Sequence, residues 1–225
     1  KYNAIIYVDD AHGMGVIGEK PDADMPYGYG GRGIVKYFDM GYEEDRIIYV
    51  GGLSKSFSSY GCFMTCFDQA MKARMSLAGP FVFSGPSPVA SLASALAGLE
   101  VNKDEGDAMR ANVYKLTKKL VDSARGMGFE VDNEHYFPIV GVVIGNVDEV
   151  TDACQLMWEH NILITPAIYP AVAMNRNLVR FSITASNTEA EINQAIAALG
   201  AVWEMVHGEQ EKPAPAIEHI EADAA

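Results

Sequence analysis

The chain has 225 residues, of which 49% are hydrophobic and 21% charged, and this composition is typical of a packed globular protein and excludes wholesale disorder. Seventeen Lys and Arg against thirty Asp and Glu give a formal net charge of −13, which repels phosphate backbones and anionic lipids. We therefore expect no nucleic-acid partner. Because no apolar run approaches the ~20 residues that a membrane span needs, we also expect a soluble protein.

The three cysteines follow no disulfide or zinc-binding pattern. Cys62, Cys66 and Cys154 are an odd number at irregular spacing, so we expect a reducing compartment, the cytoplasm. We expect them to be buried, small apolar side chains with no metal or redox role.

Two short apolar runs, at residues 4–8 and 47–50, predict strands buried on both faces, as in a parallel α/β sheet. The chain enters the first run so directly that the sequence is expected to begin inside a fold. Polar residues follow each run at once: Asp9 to His12 after the first, and Gly51 to Lys55 after the second. Since α/β proteins bind ligands at the carboxyl ends of parallel strands, we expect these two segments to meet there.

The next segments predict one strand and three helices. The strand is expected at residues 61–67, a helix that starts with Asp68 at 68–77, and a buried helix rich in Ala and Leu at 86–99. A further helix ends at Gly126 and Gly128, and its apolar residues recur every three or four positions: Met109, Val113, Leu116 and Leu120.

The elements beyond residue 102 are shorter and predict a second, smaller domain over residues 103–207. Strands are expected at residues 139–144, 162–164 and 178–183, and a helix at 150–160. Thr188 and Glu191 form a capping box for a last helix. Residues 1–102 would then belong to a first domain, and residues 208–225, with two Pro and no dense apolar cluster, predict a flexible tail.

Lys55 is the residue that most strongly indicates chemistry. It lies in the loop Gly51-Gly52-Leu53-Ser54-Lys55-Ser56, whose small residues let a cofactor approach the backbone. A lysine at the mouth of a sheet can form a Schiff base where its surroundings expose the neutral amine. A lysine after a strand is more often an ordinary surface residue, and the loop alone leaves both interpretations open.

The segment Asp9-Asp10-Ala11-His12-Gly13 favours the chemical interpretation. A carboxylate fixed at a strand end can keep a pyridine nitrogen protonated, and the protonated ring then takes up the electrons of a carbanion. His12 is placed to contact the same ring. Asp9 or Asp10 could instead cap the next element, and His12 could be an ordinary loop residue, but neither role explains why two strands end in such polar clusters.

Together these residues resemble the α-oxoamine synthase family of fold-type I pyridoxal-phosphate enzymes. The resemblance is carried by residues 7–18, 53–57 and 179–185 and covers nearly all of the chain except the tail. It implies an α/β fold, with the later part of the large cofactor-binding domain followed by a smaller α+β C-terminal domain. It also implies pyridoxal 5'-phosphate as the cofactor.

The resemblance assigns roles to four residues in particular. Asp9 would pair with the pyridinium nitrogen, His12 would contact the phenolic oxygen of the ring, and Lys55 would form the Schiff base with the cofactor. Arg180, which could otherwise be a surface arginine on an alternating strand, would bind the carboxylate of the amino-acid substrate through its planar donor group.

The expected phosphate-binding residues depart from the family pattern at two positions. Gly52 stands where the family commonly has a hydroxyl residue, and Gly85 replaces a common threonine. Ser84 and Gly85 fall in the segment that, by resemblance, reaches the phosphate of the neighbouring subunit in a homodimer. We therefore expect backbone amides, together with Ser54, Ser56 or Ser84, to hold the phosphate.

Two segments differ from the family more widely. Residues 20–30 look like an insertion, which is either a substrate-facing loop or a surface excursion. The N-terminal half of the family fold, with its glycine-containing phosphate loop and an aromatic residue that stacks on the ring, does not precede Lys1. We expect that half on the same or on another chain, so the chain alone is expected to form an incomplete active site.

The implied reaction is the decarboxylative condensation of an amino acid with an acyl thioester, carried by coenzyme A or a carrier protein, to give an α-amino ketone. One alternative is another fold-type I enzyme, an aminotransferase or an aldolase-type lyase, which would use the same lysine and aspartate. The other is a non-catalytic subunit of a heteromeric synthase. The presence of Lys55 argues against that alternative, because a subunit that never binds cofactor has no chemical need for the amine.

Overall fold

The structure is a computed structural model that describes residue 2, residues 4–42 and residues 46–208. The chain divides into two compact units, of which the first ends at Asn112 and the second begins at Val113. The domain boundary expected near residue 102 stays a prediction. The tail expected over residues 208–225 lies outside the described residues from residue 209 onwards.

A three-stranded sheet organises the first unit. β1 (Ile6–Asp9) runs parallel to β2 (Ile47–Gly52), and β2 also pairs with the antiparallel strand β3 (Cys62–Met64). Asp9 lies opposite Val50 in the register, and the backbone N–H of the next residue donates to the Val50 carbonyl at 2.9 Å. The two polar segments therefore begin side by side at the carboxyl ends of β1 and β2, as predicted.

β1 is exposed, so the prediction that it is buried on both faces is wrong for the described residues. The side chains of Ile5, Ile6 and Tyr7 are 55%, 56% and 62% exposed. The physical reason is that β1 is an edge strand, which pairs with β2 alone among the strands of the described chain. The apolar run correctly predicted a strand, but the described residues do not cover its side chains.

The helices of the first unit are α1 (Ile34–Tyr37), α2 (Gln69–Ser76), α3 (Gly79–Val82), α4 (Val89–Asp104) and α5 (Gly106–Met127), the last of which continues into the second unit. The predicted start of α2 is confirmed, because the side chain of Asp68 accepts a hydrogen bond from the backbone N–H of Met71. The short helices α1 and α3 were not predicted.

The helix predicted at residues 86–99 is α4, but the prediction that it is buried is wrong. Ala95 is its one buried residue, whereas Leu92 and Leu96 are 52% and 64% exposed. Ala and Leu occur all around this helix, which predicts burial only where neighbours cover every face. Within the described chain, its apolar faces are largely uncovered.

The second unit has a three-stranded antiparallel sheet with its strands in the order β4-β6-β5. Its elements are β4 (Ile139–Gly145), α6 (Val147–Glu159), β5 (Thr165–Ala167), β6 (Asn177–Ser182) and α7 (Glu189–His207). The predicted amphipathic helix is confirmed as α5, which buries Leu116 and Leu120 in the core of this unit. None of the helices in the described residues combines the length and apolar character that a membrane span requires.

A local capping signal located the start of α7 accurately. The predicted capping box of α7 is present: Thr188 Oγ1 accepts from the backbone N–H of Glu191 at 3.2 Å, and the Glu191 carboxylate accepts from the N–H of Thr188 at 2.7 Å. A second capping box, formed by Asn146 and Glu149 at the start of α6, was not predicted.

The strand predicted at residues 162–164 is displaced, since β5 spans Thr165–Ala167 instead. Ile162 and Ile164 pack against the core of the second unit, whereas Leu163 is 85% exposed. These apolar residues therefore lie in the segment between α6 and β5, where two of them pack on the core, and they do not pair as a strand of the sheet.

The three cysteines are less buried than predicted. Cys62 is exposed on the edge strand β3, while Cys66 and Cys154 are half-buried, and all three are free thiols. Cys154 packs against the core of the second unit, and burial raises the pKa of its thiol. The expectation of fully buried side chains is wrong because Cys62 lies at a sheet edge.

Candidate active site

The segment after β1 and the loop after β2 are packed directly against each other. A Cβ placed on Gly52 would lie 3.0 Å from the Cβ of Ala11, and one placed on Gly15 would lie 2.6 Å from the Cβ of Ser56, the neighbour of Lys55. Small residues at these positions let the two backbones approach. The structure thus brings the predicted aspartate and histidine turn together with the predicted lysine loop.

Asp10 is used to hold this turn in place. It is buried, and its Oδ2 accepts one hydrogen bond from the Tyr49 hydroxyl and one from the backbone N–H of Ile34, both at 2.8 Å. Burial raises the pKa of the Asp10 carboxyl, although these hydrogen bonds act in the opposite direction. The pKa of the Tyr49 hydroxyl is raised as well, mainly by burial and also by the hydrogen bond to Asp10. Asp10 is therefore a structural residue.

Asp9 and His12 are both exposed at the same sheet edge. Oδ1 of Asp9 accepts a hydrogen bond from the backbone N–H of Ala11 at 3.1 Å, which fixes the carboxylate at the end of β1. Its accessibility contrasts with the burial of Asp10. The Asp9 carboxylate can therefore meet a ligand that the Asp10 carboxylate cannot reach.

Lys55 combines a fixed backbone with an accessible side chain. Its carbonyl accepts a hydrogen bond from the N–H of Ser58 at 3.1 Å. Helix α4 holds the following residues, because Ser94 Oγ donates to the Ser58 carbonyl at 3.0 Å and Ser59 Oγ donates to the Ser91 carbonyl at 2.6 Å. The Lys55 side chain is exposed, and its Nζ makes no hydrogen bond or ion pair with any described residue.

The two glycines that depart from the family pattern lie in different surroundings. Gly52 is confined by Ala11, whereas a Cβ placed on Gly85 would meet no atom within 4 Å. Ser84 and Ser54 are exposed, and Ser84 Oγ donates to the carbonyl of Phe81 at 3.0 Å. No hydrogen bond joins Ser84 to the Lys55 loop within the described chain, so these two predicted sites are not brought together.

Arg180 lies in the second unit, on the central strand β6. Its backbone is opposite Gly141 of β4 and Thr165 of β5. The side chain lines a cleft of about 400 Å³, and its Nε is buried without a hydrogen-bond partner in the described residues. An arginine with an unused donor beside a cleft is suited to binding a carboxylate.

The predicted insertion at residues 20–30 is a folded loop. Met25 and Tyr27 are buried, and the Tyr29 hydroxyl donates to the Asp22 carboxylate at 2.9 Å. Three hydrogen bonds lower the pKa of the Asp22 carboxyl: one from the backbone N–H of Met25, one from the Tyr29 hydroxyl and one from the backbone N–H of Asp24. Its role, as a substrate-facing loop or a surface excursion, stays a prediction.

A buried arginine near the turn was missed by the sequence analysis. Arg110 of α5 is 4% exposed and donates to the carbonyl of Gly15 at 3.0 Å. The sequence carries one weak signal of it, the spacing of Asp107 and Arg110 at i and i+3, but that spacing is common on solvent-exposed helix faces.

Comparison with known proteins agrees with this geometry. The family of class I and II aminotransferases matches residues 1–199. The chain is 31% identical over 199 residues to a serine palmitoyltransferase of Bacteroides ovatus, covering 88% of this chain and 47% of that protein. It is 27% identical over 207 residues to an 8-amino-7-oxononanoate synthase of Thermoanaerobacter pseudethanolicus. This match covers 92% of this chain and 49% of that protein. The chain spans about half the length of the curated relatives it matches.

The fold is also found in solved structures. The serine palmitoyltransferase of Sphingomonas wittichii superposes with a TM-score of 0.77 at 24% identity, over 91% of this chain and 48% of that one. The chain therefore belongs to the aminotransferase class I and II family and has the predicted α/β fold of the fold-type I enzymes. Within that family, the predicted resemblance to the α-oxoamine synthases is confirmed.

Proposed function

We propose that the full-length protein is a pyridoxal-phosphate-dependent acyltransferase that condenses an amino acid with an acyl thioester. Carbon dioxide and the free thiol leave, and an α-amino ketone remains. The observation that carries the proposal is the packing of Ala11 against Gly52, which brings together the segment that carries Asp9 and the loop that carries Lys55. The names of the relatives, serine palmitoyltransferase and 8-amino-7-oxononanoate synthase, support the same class of reaction.

The residues of this segment and this loop fit pyridoxal phosphate. When bound, the cofactor supplies a protonated pyridine ring that takes up the electrons of a carbanion. Lys55 offers an amine without a partner among the described residues, suited to bonding the cofactor aldehyde. Asp9 offers an exposed carboxylate to hold the proton on the ring nitrogen, and His12 lies in the same turn to contact the phenolic oxygen.

The substrate-handling steps are assigned to two residues. With the cofactor bound, Lys55 Nζ would accept the α-proton of the amino-acid substrate. Arg180 holds the substrate carboxylate until it leaves as carbon dioxide, and its buried, unpartnered Nε beside a cleft supports this role. If so, Arg180→Lys raises the KM for the amino acid with little effect on cofactor affinity, and an unchanged KM contradicts the role.

Backbone amides and Ser54 are proposed to hold the phosphate from the subunit that carries Lys55. Ser84 and the segment at Gly85 are proposed to reach the same phosphate from the neighbouring subunit of a homodimer. The 90% exposure of Phe83, next to Ser84, supports an interface at this segment. The N-terminal half of the family fold, on the same or another chain, would complete the site. Light scattering of the full-length protein should give the mass of a dimer, and a monomer with full activity contradicts this part.

We also propose that the protein is cytoplasmic. The three free cysteines, Cys62, Cys66 and Cys154, suit a reducing compartment. Fractionation of the source cells tests this, and recovery of the protein outside the cytoplasm contradicts it.

Product analysis tests the reaction. The full-length protein is incubated with amino acids labelled at the carboxyl carbon and with acyl-coenzyme A or an acyl-carrier protein. Labelled carbon dioxide and free thiol should appear in equal amounts. An aminotransferase is the second candidate, because the matching family carries that name. Formation of an oxo acid from the amino acid, with no thiol released, would favour it over the condensation.

A further inference from the structure

Arg110, which is buried, forms a polar cluster with the half-buried Asn102 and the exposed Asp107 beside the candidate active site, within the first unit. Nη1 of Arg110 donates to the Gly15 carbonyl at 3.0 Å and to Oδ1 of Asn102 at 2.7 Å, and Nη2 forms an ion pair with Asp107. Asn102 and Asp107 in turn bind the carbonyl and the N–H of Gly30. Nη1 and Nη2 of the buried guanidinium are paired, whereas its Nε has no hydrogen-bond partner among the described residues. Moving the guanidinium would leave further polar groups unpaired, which holds it in one position.

Gly15 links this cluster to the lysine loop. Its N–H donates to the Gly31 carbonyl at 2.8 Å while its carbonyl accepts from Arg110, so the backbone of Gly15 is held on both sides. Gly15 has a φ of +84°, and a Cβ built on it would lie 2.6 Å from the Cβ of Ser56. Gly15 is thus enclosed between the Arg110 guanidinium and the residue that follows Lys55.

We propose that Arg110 is a positioning residue for Lys55, which it orients through Gly15 and Ser56. The inference rests on the proposed function only in taking Lys55 as the cofactor-binding lysine. Arginine is needed because its planar group carries five N–H donors in a fixed fork, whereas the lysine ammonium is a single point of contact and cannot reach the same three partners together.

The test compares Arg110→Lys with Arg125→Lys in the full-length protein loaded with pyridoxal phosphate. Arg125 is a matched control, since it lies on the same helix and its Nη2 also donates to a backbone carbonyl, that of Val131, at 3.1 Å. The readouts are the Kd for pyridoxal phosphate and the pH midpoint at which the visible absorbance of the bound cofactor changes. Misplaced reacting groups cost rate and affinity steeply.

Arg110→Lys is expected to raise the Kd about tenfold or more and to shift the pH midpoint, whereas Arg125→Lys changes neither. Gly15→Ala should behave like Arg110→Lys, because the added Cβ displaces Ser56. Wild-type values in a folded Arg110→Lys protein overturn the proposal. If that variant does not fold, Asn102→Ala, which removes one anchor of Arg110 and keeps the charge, is measured, and wild-type values there overturn it equally.

Borohydride labelling of the wild-type protein separates the two proposals. If the wild type carries no label on Lys55, the proposed function fails. If the wild type is labelled on Lys55 and the variants keep its Kd and pH midpoint, only the positioning role of Arg110 fails.

Discussion

The Tyr49 hydroxyl donates a hydrogen bond to Oδ2 of Asp10 at 2.8 Å, and both side chains are buried. The same oxygen accepts the backbone N–H of Ile34, so Asp10 joins the end of β1 to β2 and to the start of α1. Two adjacent carboxylates therefore differ in availability. Asp10 holds the turn, and Asp9 remains exposed at the sheet edge.

Removing the Tyr49 hydroxyl is expected to destabilise the fold. In Tyr49→Phe, Asp10 loses a hydrogen-bond donor inside the protein, which lowers the free energy of unfolding by about 1–3 kcal/mol. Urea denaturation of the full-length protein measures the change. Tyr60→Phe is the control, because Tyr60 is 70% exposed. Equal stabilities of the two variants would mean that the bond to Asp10 contributes nothing.

The stability that Asp10 contributes should depend on pH. Burial raises the pKa of its carboxyl above the ordinary value of 3.8, so the folded state binds this proton more tightly than the unfolded state does. This contribution is fully present below the ordinary pKa and is lost as the pH rises through the raised one. The stability of the wild type relative to Asp10→Asn should therefore fall from acidic to neutral pH in urea titrations. A difference that stays constant with pH contradicts the shift.

Asp9→Asn is expected to abolish turnover while the cofactor still binds. An amide cannot stabilise the proton on the ring nitrogen, although it preserves the shape of the pocket. Exchange of the substrate α-proton with solvent measures the loss, and a cofactor titration measures binding. Asp24→Asn, at an exposed position in the same unit, should keep both properties. Near-normal exchange in Asp9→Asn would remove the role from Asp9.

The close approach of Ala11 and Gly52 should make Gly52 intolerant of a side chain. In Gly52→Ala, the new Cβ would lie 3.0 Å from the Cβ of Ala11, so the two segments must separate by a few tenths of an ångström. We expect weaker cofactor binding in this variant. The double variant Ala11→Gly with Gly52→Ala should recover part of it, because the new Cβ would still lie 3.2 Å from the Cα of residue 11. Gly85→Ala is the control, since its Cβ meets nothing within 4 Å. A double variant as weak as the single one contradicts the steric explanation.

Several features set by local hydrogen bonds could be predicted from the sequence. Asp68 caps α2, and Thr188 with Glu191 caps α7, because these bonds join residues three positions apart. The difference between Asp9 and Asp10 could not be predicted, since it depends on Tyr49, which is distant in sequence. Arg110 was missed for the same reason, because its contact with Gly15 joins segments that only the folded chain brings together.

Reduction with borohydride tests the assignment of Lys55 most directly. The full-length protein is loaded with pyridoxal phosphate, reduced, digested and mapped, with Lys36 as an internal comparison from the same unit. We predict that the pyridoxyl group is found on Lys55 and that Lys55→Arg leaves the protein unlabelled. A label on another lysine, or no label in protein that has bound the cofactor, would contradict the proposed active site.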